Sequence, residues 1–278
     1  MKILQITTSF PPLIGGIETY SYNLAKGLID KGLFLKVLTS VGEERTLNDT
    51  NDIHVVRTPS WLNIRYIKII PLLLTAMFTC LIDRPDYVIA MTWRHEGVVA
   101  YLLKKLLKIK YIIVSHGTEI TSVCDKYVHR ALMTSVFGGA QNIIANSSFT
   151  KKTLANALKI DQTCIAVINP PLRIPHVLTT IDTSVIDRKY NLTGKRIILT
   201  VSRLVKRKNH ALVIRLMADL KDLYPDLIYV ITGEGEYQRQ LKNLAYELSV
   251  EEQIIFVGFV SAEELEGLYQ RSEIYVSP

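Results

Sequence analysis

Arg196-Ile197-Ile198-Leu199-Thr200-Val201-Ser202-Arg203-Leu204-Val205-Lys206-Arg207-Lys208-Asn209 changes character halfway along. Its first half is β-branched or apolar almost throughout, the composition of a parallel strand buried on both faces. It then turns basic, and from Asn209 to Met217 a helical period takes over with Asn209 in the N-cap position. Strand, short polar loop and helix make the repeating unit of an open α/β sheet, and such sheets bind ligands at the carboxyl ends of their strands. Arg203 and Lys208 therefore stand where a ligand would lie, beside a helix N-terminus that favours anions. The competing reading is a solvated basic turn. Arg203 weighs against it, because the first residue after a buried strand faces the crevice, so the stretch reads as a diphosphate site.

The same alternation extends in both directions. Strand patterns fall at 3–8, 33–39, 53–57, 87–91, 111–115, 142–145 and 165–168, then at 197–202, 227–232, 253–257 and 273–277. Helical periods fall at 17–31, 66–82, 97–108, 149–158, 211–223, 236–248 and 262–271. This order predicts an α/β fold of two doubly wound, Rossmann-like domains facing a cleft. Their expected extents are 1–170 and 191–278, with a linker over 171–190 where Pro170-Pro171 and Pro175 break the pattern before a short polar helix. The second domain shows four strand patterns where doubly wound domains commonly carry about five or six, and it reads as incomplete.

Composition narrows the class. Of 278 residues, 48% are hydrophobic, enough to fill two cores. The net charge of +7 belongs to the first half: residues 1–170 hold 19 Lys and Arg against 12 Asp and Glu, whereas 171–278 hold 14 of each. Such a field suits an acidic substrate or an anionic membrane surface. The cations are dispersed without interleaved aromatics, which argues against nucleic acid. Lys104-Lys105-Leu106-Leu107-Lys108-Ile109-Lys110 gives a helix end a basic, apolar-backed face that fits either a membrane surface or an ordinary cationic C-terminus. Cys80, Cys124 and Cys164 form neither a metal-ligand spacing nor a disulfide framework, and the first strand pattern begins at once, without a leader. The expectation is a cytoplasmic protein, with peripheral contact at the inner membrane face as the variant that the charge allows.

Several loops carry candidate chemistry. The first strand pattern leads to Ser9-Phe10-Pro11-Pro12-Leu13-Ile14-Gly15-Gly16-Ile17-Glu18, where Gly15 and Gly16 allow close approach at a helix start that can receive a phosphate. No G-x-G-x-x-G and no Walker loop occur, and the second strand ends in Thr39-Ser40 instead of an acid for a ribose. His116-Gly117 follows the fifth strand and can reach a ligand or be a satisfied polar residue near the core. Glu119 reads as a base or a solvated loop acid, and the latter is favoured. Arg94-His95-Glu96 forms a second polar cluster after the fourth strand. Gly233-Glu234-Gly235 either offers bare backbone to a nucleoside or makes a tight strand-to-helix turn. No Asp-x-Asp is present to hold a metal on a diphosphate, and Arg203 with Lys208 can neutralise that charge instead.

Taken in order, Pro11-Pro12-x-x-Gly15-Gly16-x-Glu18, His116-Gly117, Ala145-Asn146-Ser147, Val167-Ile168-Asn169-Pro170, Ser202-Arg203-Leu204 with Lys208, Gly233-Glu234-Gly235 and Phe256-Val257-Gly258 resemble the retaining GT-B glycosyltransferases of family 4, the group-1 type. The resemblance spans nearly the whole chain. It implies a hexosyl- or N-acetylhexosaminyl-transferase that uses a UDP- or GDP-sugar donor and a glycan or lipid-linked acceptor, with no metal and no other cofactor. By matching position it implies that Arg203 and Lys208 bind the donor diphosphate and stabilise the leaving group. Gly16, beside Gly15 and Glu18, would approach the phosphate or the transferred sugar. His116 would contact that sugar near the reacting carbon, with Gly117, His95 and Asn146 around it, and Gly233, Glu234 and Gly235 would line the nucleoside pocket. Family members carry a Glu-x7-Glu segment just beyond the Val-Ser-Pro strand. This sequence stops at Pro278 before it, so the expectation is a chain truncated in its second domain. The alternative is a non-catalytic remnant, or a half complemented by a partner, that binds anionic ligands. A nicotinamide-dependent oxidoreductase is allowed by the sheet pattern and opposed by the missing glycine fingerprint.

Overall fold

The run Ile3-Leu4-Gln5-Ile6 offers water no polar face beyond Gln5, and it becomes part of the central strand β1, Lys2–Thr7, whose last five residues are all buried. The computed structural model describes residues 1–13, 15–40, 53–58, 69–121, 127–170 and 181–278. The chain divides into two units, Met1–Ile174 and Pro175–Pro278.

In the first unit, β1 is followed by α1 (Gly16–Asp30), β2 (Phe34–Thr39), β3 (His54–Arg57), α2 (Ile69–Asp83), β4 (Tyr87–Ala90), α3 (His95–Leu107) and β5 (Lys110–Ser115). Then come the single turn α4 (Thr118–Thr121), α5 (Tyr127–Gly139), β6 (Asn142–Ala145), α6 (Ser148–Leu158) and β7 (Ile165–Val167). The strands lie in the order β3-β2-β1-β4-β5-β6-β7, and each neighbouring pair is parallel. Tyr20 and Ala25 of α1 pack on one sheet face with Ile3, Leu35 and Val37. The other face is covered by Leu72 and Ala76 of α2, Val99 and Leu103 of α3, Met133 and Phe137 of α5, and Leu154 of α6. The winding reverses between β1 and β4, so their carboxyl ends flank the crevice where such sheets take ligands.

The second unit comprises α7 (Ser184–Tyr190), β8 (Arg196–Val201), α8 (His210–Leu220), β9 (Leu227–Thr232), α9 (Gln238–Glu247), β10 (Ile254–Gly258), α10 (Ala262–Arg271) and β11 (Ile274–Tyr275). Its parallel strands lie in the order β10-β9-β8-β11, with the reversal between β8 and β11. All six residues of β9 are buried, which agrees with the continuous apolar reading of its sequence. The short helix expected within the linker, α7, is built into this unit. Arg271 Nε donates to Asp187 Oδ1 at 2.6 Å, and Arg271 Nη2 donates to the carbonyls of Leu192 and Lys195, both at 2.9 Å.

The α/β architecture is as expected from the alternation, and the strands lie where their patterns do. Helix α5 is the element that periodicity did not disclose. Its core residues Met133, Val136 and Phe137 make a stripe of a single turn, which Gly138 and Gly139 follow without extending it. Asn209 occupies the N-cap position as expected, without the capping bond. It stands before α8 in a left-handed conformation (φ 52°), and its side chain caps no helix N–H. The basic residues Lys206–Lys208 before it form a 3-10 turn. The loop Val41 to Asp52, the start of the 66–82 helical pattern and 171–180 lie outside the described residues.

Candidate active site

At the switch point of the first unit, β1 runs out into Thr8 and β4 into Met91-Thr92-Trp93. Glu96, in the first turn of α3, binds both exits. Its Oε1 accepts from the Thr8 amide at 2.8 Å and the Thr8 hydroxyl at 2.7 Å, and its Oε2 accepts from the Thr92 hydroxyl at 2.5 Å. At 1% exposure this carboxylate is tolerable only because three donors and the positive end of a helix surround it. His95, the neighbour expected to act, is half-buried and joins no hydrogen bond among the described residues. The signal for Glu96 was legible: it falls on the 96, 100, 103, 107 stripe that α3 turns to the core, where an acid needs partners.

His116 is the first residue after β5. Its Nε2 donates to the Met91 carbonyl at 3.0 Å, which leaves Nδ1 as the acceptor of the neutral ring. The Tyr20 ring meets the imidazole edge-on with centroids 5.1 Å apart; Tyr20 had no marker in the sequence beyond its place in α1. The His116 amide and the Ser115 hydroxyl both donate to Glu119 Oε1, at 2.7 and 2.9 Å. Glu119 is thus not the solvated loop acid expected but the brace of the His116 turn, where backbone and side-chain donors converge on one oxygen.

Gly117 and Asn146 hold the same turn from the other side. Gly117 has φ +98°, and a Cβ there would stand 2.8 Å from the Thr150 hydroxyl. That hydroxyl donates to Asn146 Oδ1 at 2.7 Å, while Asn146 Nδ2 donates to the His116 carbonyl at 3.4 Å. Both residues are therefore engaged in positioning His116.

Burial pushes the His116 imidazole below its ordinary value of 6.5, opposed in part by the charges of Glu119, Glu96 and Glu18 and by the Met91 carbonyl. The proton-linked sign follows. The unfolded chain takes up this proton first, so stability falls as pH drops below about 6.5. Glu119→Gln removes the largest opposing charge and is expected to lower the His116 pKa further, widening the pH range of the neutral ring. A pH titration of the His116 ring resonances by NMR checks the direction; a rise would show that the Glu119 charge does not reach the ring.

The helix start of α1 divides its two glycines. Around Gly16 nothing lies within 4 Å of a Cβ position, whereas at Gly15 that position is 2.3 Å from Glu18 Oε2. Gly16 is thus open to close approach by a ligand, and Gly15 is covered by the carboxylate of its own first turn. With Glu18, Glu96 and Glu119 about His116, this switch point is acidic.

The switch point of the second unit is cationic. Arg203 is exposed and Lys208 half-buried, and neither has a carboxylate partner among the described residues. The loop beneath them is stitched to the β9 exit: the Leu204 amide donates to the Glu234 carbonyl at 2.9 Å and the Tyr237 amide to the Leu204 carbonyl at 3.0 Å. Packing gives these glycines the tight-turn role, one of the two expected of them. A Cβ on Gly233 would stand 2.3 Å from the Ser202 carbonyl oxygen, and one on Gly235 2.2 Å from that of Leu204. Their bare faces admit the neighbouring loop, and Glu234 enters through its carbonyl. His210, fully buried, adds a hydrogen bond of 3.0 Å between its Nε2 and the Ser202 hydroxyl, a residue that the sequence reading passed over.

Comparison with known proteins gives the family and the fold. The model for Glycosyltransferase Family 4 matches residues 14–174, and that for Glycosyl transferases group 1 matches residues 182–278. The chain is 25% identical to an uncharacterized glycosyltransferase of Methanocaldococcus jannaschii, with 100% of this chain and 74% of that protein covered. It is 24% identical to the GDP-mannose-dependent alpha-(1-6)-phosphatidylinositol monomannoside mannosyltransferase of Mycolicibacterium smegmatis, over 99% of this chain and 72% of the other. Among solved structures it is similar to HepE of Anabaena in complex with UDP and glucose, with TM-score 0.78, 18% identity, and coverage of 99% and 73%.

Proposed function

We propose, for a chain that belongs to glycosyltransferase family 4, that it moves a hexosyl or N-acetylhexosaminyl group from a UDP- or GDP-sugar to a glycan or lipid-linked acceptor, with retention and without a metal. The fold is of GT-B type and the activity is glycosyl transfer. The observation that supports this donor chemistry is the pair Arg203 and Lys208, cations without carboxylate partners among the described residues at the carboxyl end of β8, where the second sheet reverses.

In this reading the bond between the anomeric carbon and the diphosphate oxygen breaks with its electrons going to the diphosphate. Arg203 and Lys208 stabilise that charge more in the transition state than in the ground state. The acceptor oxygen bonds to the anomeric carbon, and its proton passes to the departing phosphate oxygen. Within the first unit, the carboxylates of Glu18, Glu96 and Glu119 stand about His116, whose neutral ring can accept a hydrogen bond from a sugar hydroxyl through Nδ1. The open backbone at Gly16 allows the donor to approach α1. The half-buried His95, first residue of α3, is a further contact for the sugar.

Calorimetric titration with UDP, GDP and NADH tests the donor class. Binding of one nucleoside diphosphate, weakened by added salt, is the expected outcome. Tight NADH binding with neither diphosphate bound would sink the proposal.

A further inference from the structure

The loop from Arg203 to Asn209 carries both cations assigned to the donor, and it lies between Ser202 and His210. The side chains of these two flanking residues meet, with His210 Nε2 and the Ser202 hydroxyl 3.0 Å apart. One hydrogen bond thus closes the loop at its neck, between the exit of β8 and the first residue of α8. The hydroxyl has a single proton and also lies 3.5 Å from the Arg203 carbonyl oxygen, toward which it can act only as donor. Both contacts are served when His210 Nε2–H donates to Ser202 Oγ and the hydroxyl donates on to the Arg203 carbonyl. That carbonyl accepts from the Val205 amide as well, at 3.0 Å, and the Val205 carbonyl accepts from the Lys208 amide at 2.9 Å. The bonds run from a buried ring to the backbone of Arg203, and through Val205 to that of Lys208.

Packing alone does not call for a histidine at this place. His210 is fully buried, and its Nδ1 finds no hydrogen-bond partner among the described residues. A leucine would fill the space without stranding a polar atom. The imidazole therefore stands here at a cost, which its Nε2 bond offsets only in part. Burial first, and then the charge of Lys208, push its pKa below 6.5. The ring is neutral at pH 7 and adds no charge of its own to the loop.

We propose that His210 is a positioning residue of the donor site: through Ser202 it clasps the two ends of the 203–209 loop and so fixes the backbone from which Arg203 and Lys208 reach a diphosphate. This role rests on the reading that those two cations bind the donor, and it deepens that reading. Both side chains are long, and a fixed backbone leaves fewer arrangements to be lost when they meet one ligand. The loop has other attachments, because Leu204 is held independently by the Glu234 carbonyl and the Tyr237 amide. What the clasp adds is the setting of the cations.

Calorimetric titration with UDP and with GDP tests it, because a free diphosphate carries the charge that the leaving group acquires. His210→Leu and Ser202→Ala should each weaken the nucleotide that the parent binds by about fivefold, the scale of one hydrogen bond. The two changes made together should weaken it no more than either alone. His210→Gln, whose amide can reach the Ser202 hydroxyl, should recover most of the affinity. Where Arg203→Ala is already present, His210→Leu should cost less than half its factor in the parent. A full cost in that background would overturn the role, since the histidine would then act on the fold of the unit and not through the cation. A parent that binds one diphosphate, with His210→Leu and Ser202→Ala binding it equally well, would overturn the role and leave the donor site standing. A parent that binds neither would refute the donor site and this role with it. Should His210→Leu fail to fold, Ser202→Ala, which removes one oxygen from a half-buried residue, decides alone.

Discussion

Arg203→Ala is expected to lower kcat by two or more orders of magnitude with the structure of the second unit intact. The side chain is exposed and carries no ion pair among the described residues, so its removal leaves no buried charge behind. What is lost is a preorganised cation at the position where negative charge develops, a contribution of about a hundredfold to a thousandfold for one donor. Lys208→Ala should fall in the same direction. Arg207, exposed in the same 3-10 turn, serves as the control. If the loop acts only through its overall positive field, Arg207→Ala would cost as much as Arg203→Ala, and the assignment of a leaving-group site would fail. Steady-state rates with a bound donor, compared with donor affinity, separate the effects: a change confined to KM would mean uniform binding rather than transition-state stabilisation.

The second large effect is on stability. Gly233→Ala places a methyl group 2.3 Å from the Ser202 carbonyl oxygen at a residue with φ +104°. Strain and collision together are expected to destabilise the second unit by about 3 kcal/mol or more, read as a melting temperature lower by roughly 10 °C or more. Gly194→Ala separates the two causes, because Gly194 also has a positive φ of +72° but meets nothing within 4 Å. Its cost should be nearer about 1 kcal/mol. Equal losses at the two positions would show that the β8 loop yields freely to the added methyl group, against the close packing described above.

How much of this was written in the chain depends on the range over which each signal acts. Strands such as Leu227–Thr232 are buried on both faces, and continuous apolar runs report that directly. Helix α3 likewise shows its core stripe. Helix α5 does not, because its contacts are made by few residues and by the bare side of Gly139, where a Cβ would stand 2.6 Å from the Tyr111 hydroxyl. The candidate site divides along the same line. Arg203, Lys208, His116 and Gly16 follow from position after a strand or before a helix. The tasks of Glu119, Asn146 and Gly235 depend on partners distant in the fold or on the local turn, so residue type alone named them without their roles. Glu96 lies between these cases: its place on an apolar stripe demanded partners, but only the meeting of β1 and β4 supplies Thr8 and Thr92.

That meeting has an evolutionary consequence. Thr8 and Thr92 share the Glu96 carboxylate, so a substitution at Glu96 strands both threonine hydroxyls, and one at either threonine takes a donor from Glu96. Their mutational effects should be strongly epistatic, with replacements tolerated as a set and penalised one at a time. Diversification of what the first unit recognises is thereby channelled away from this junction and onto the peripheral loops, where a change disturbs no shared partner.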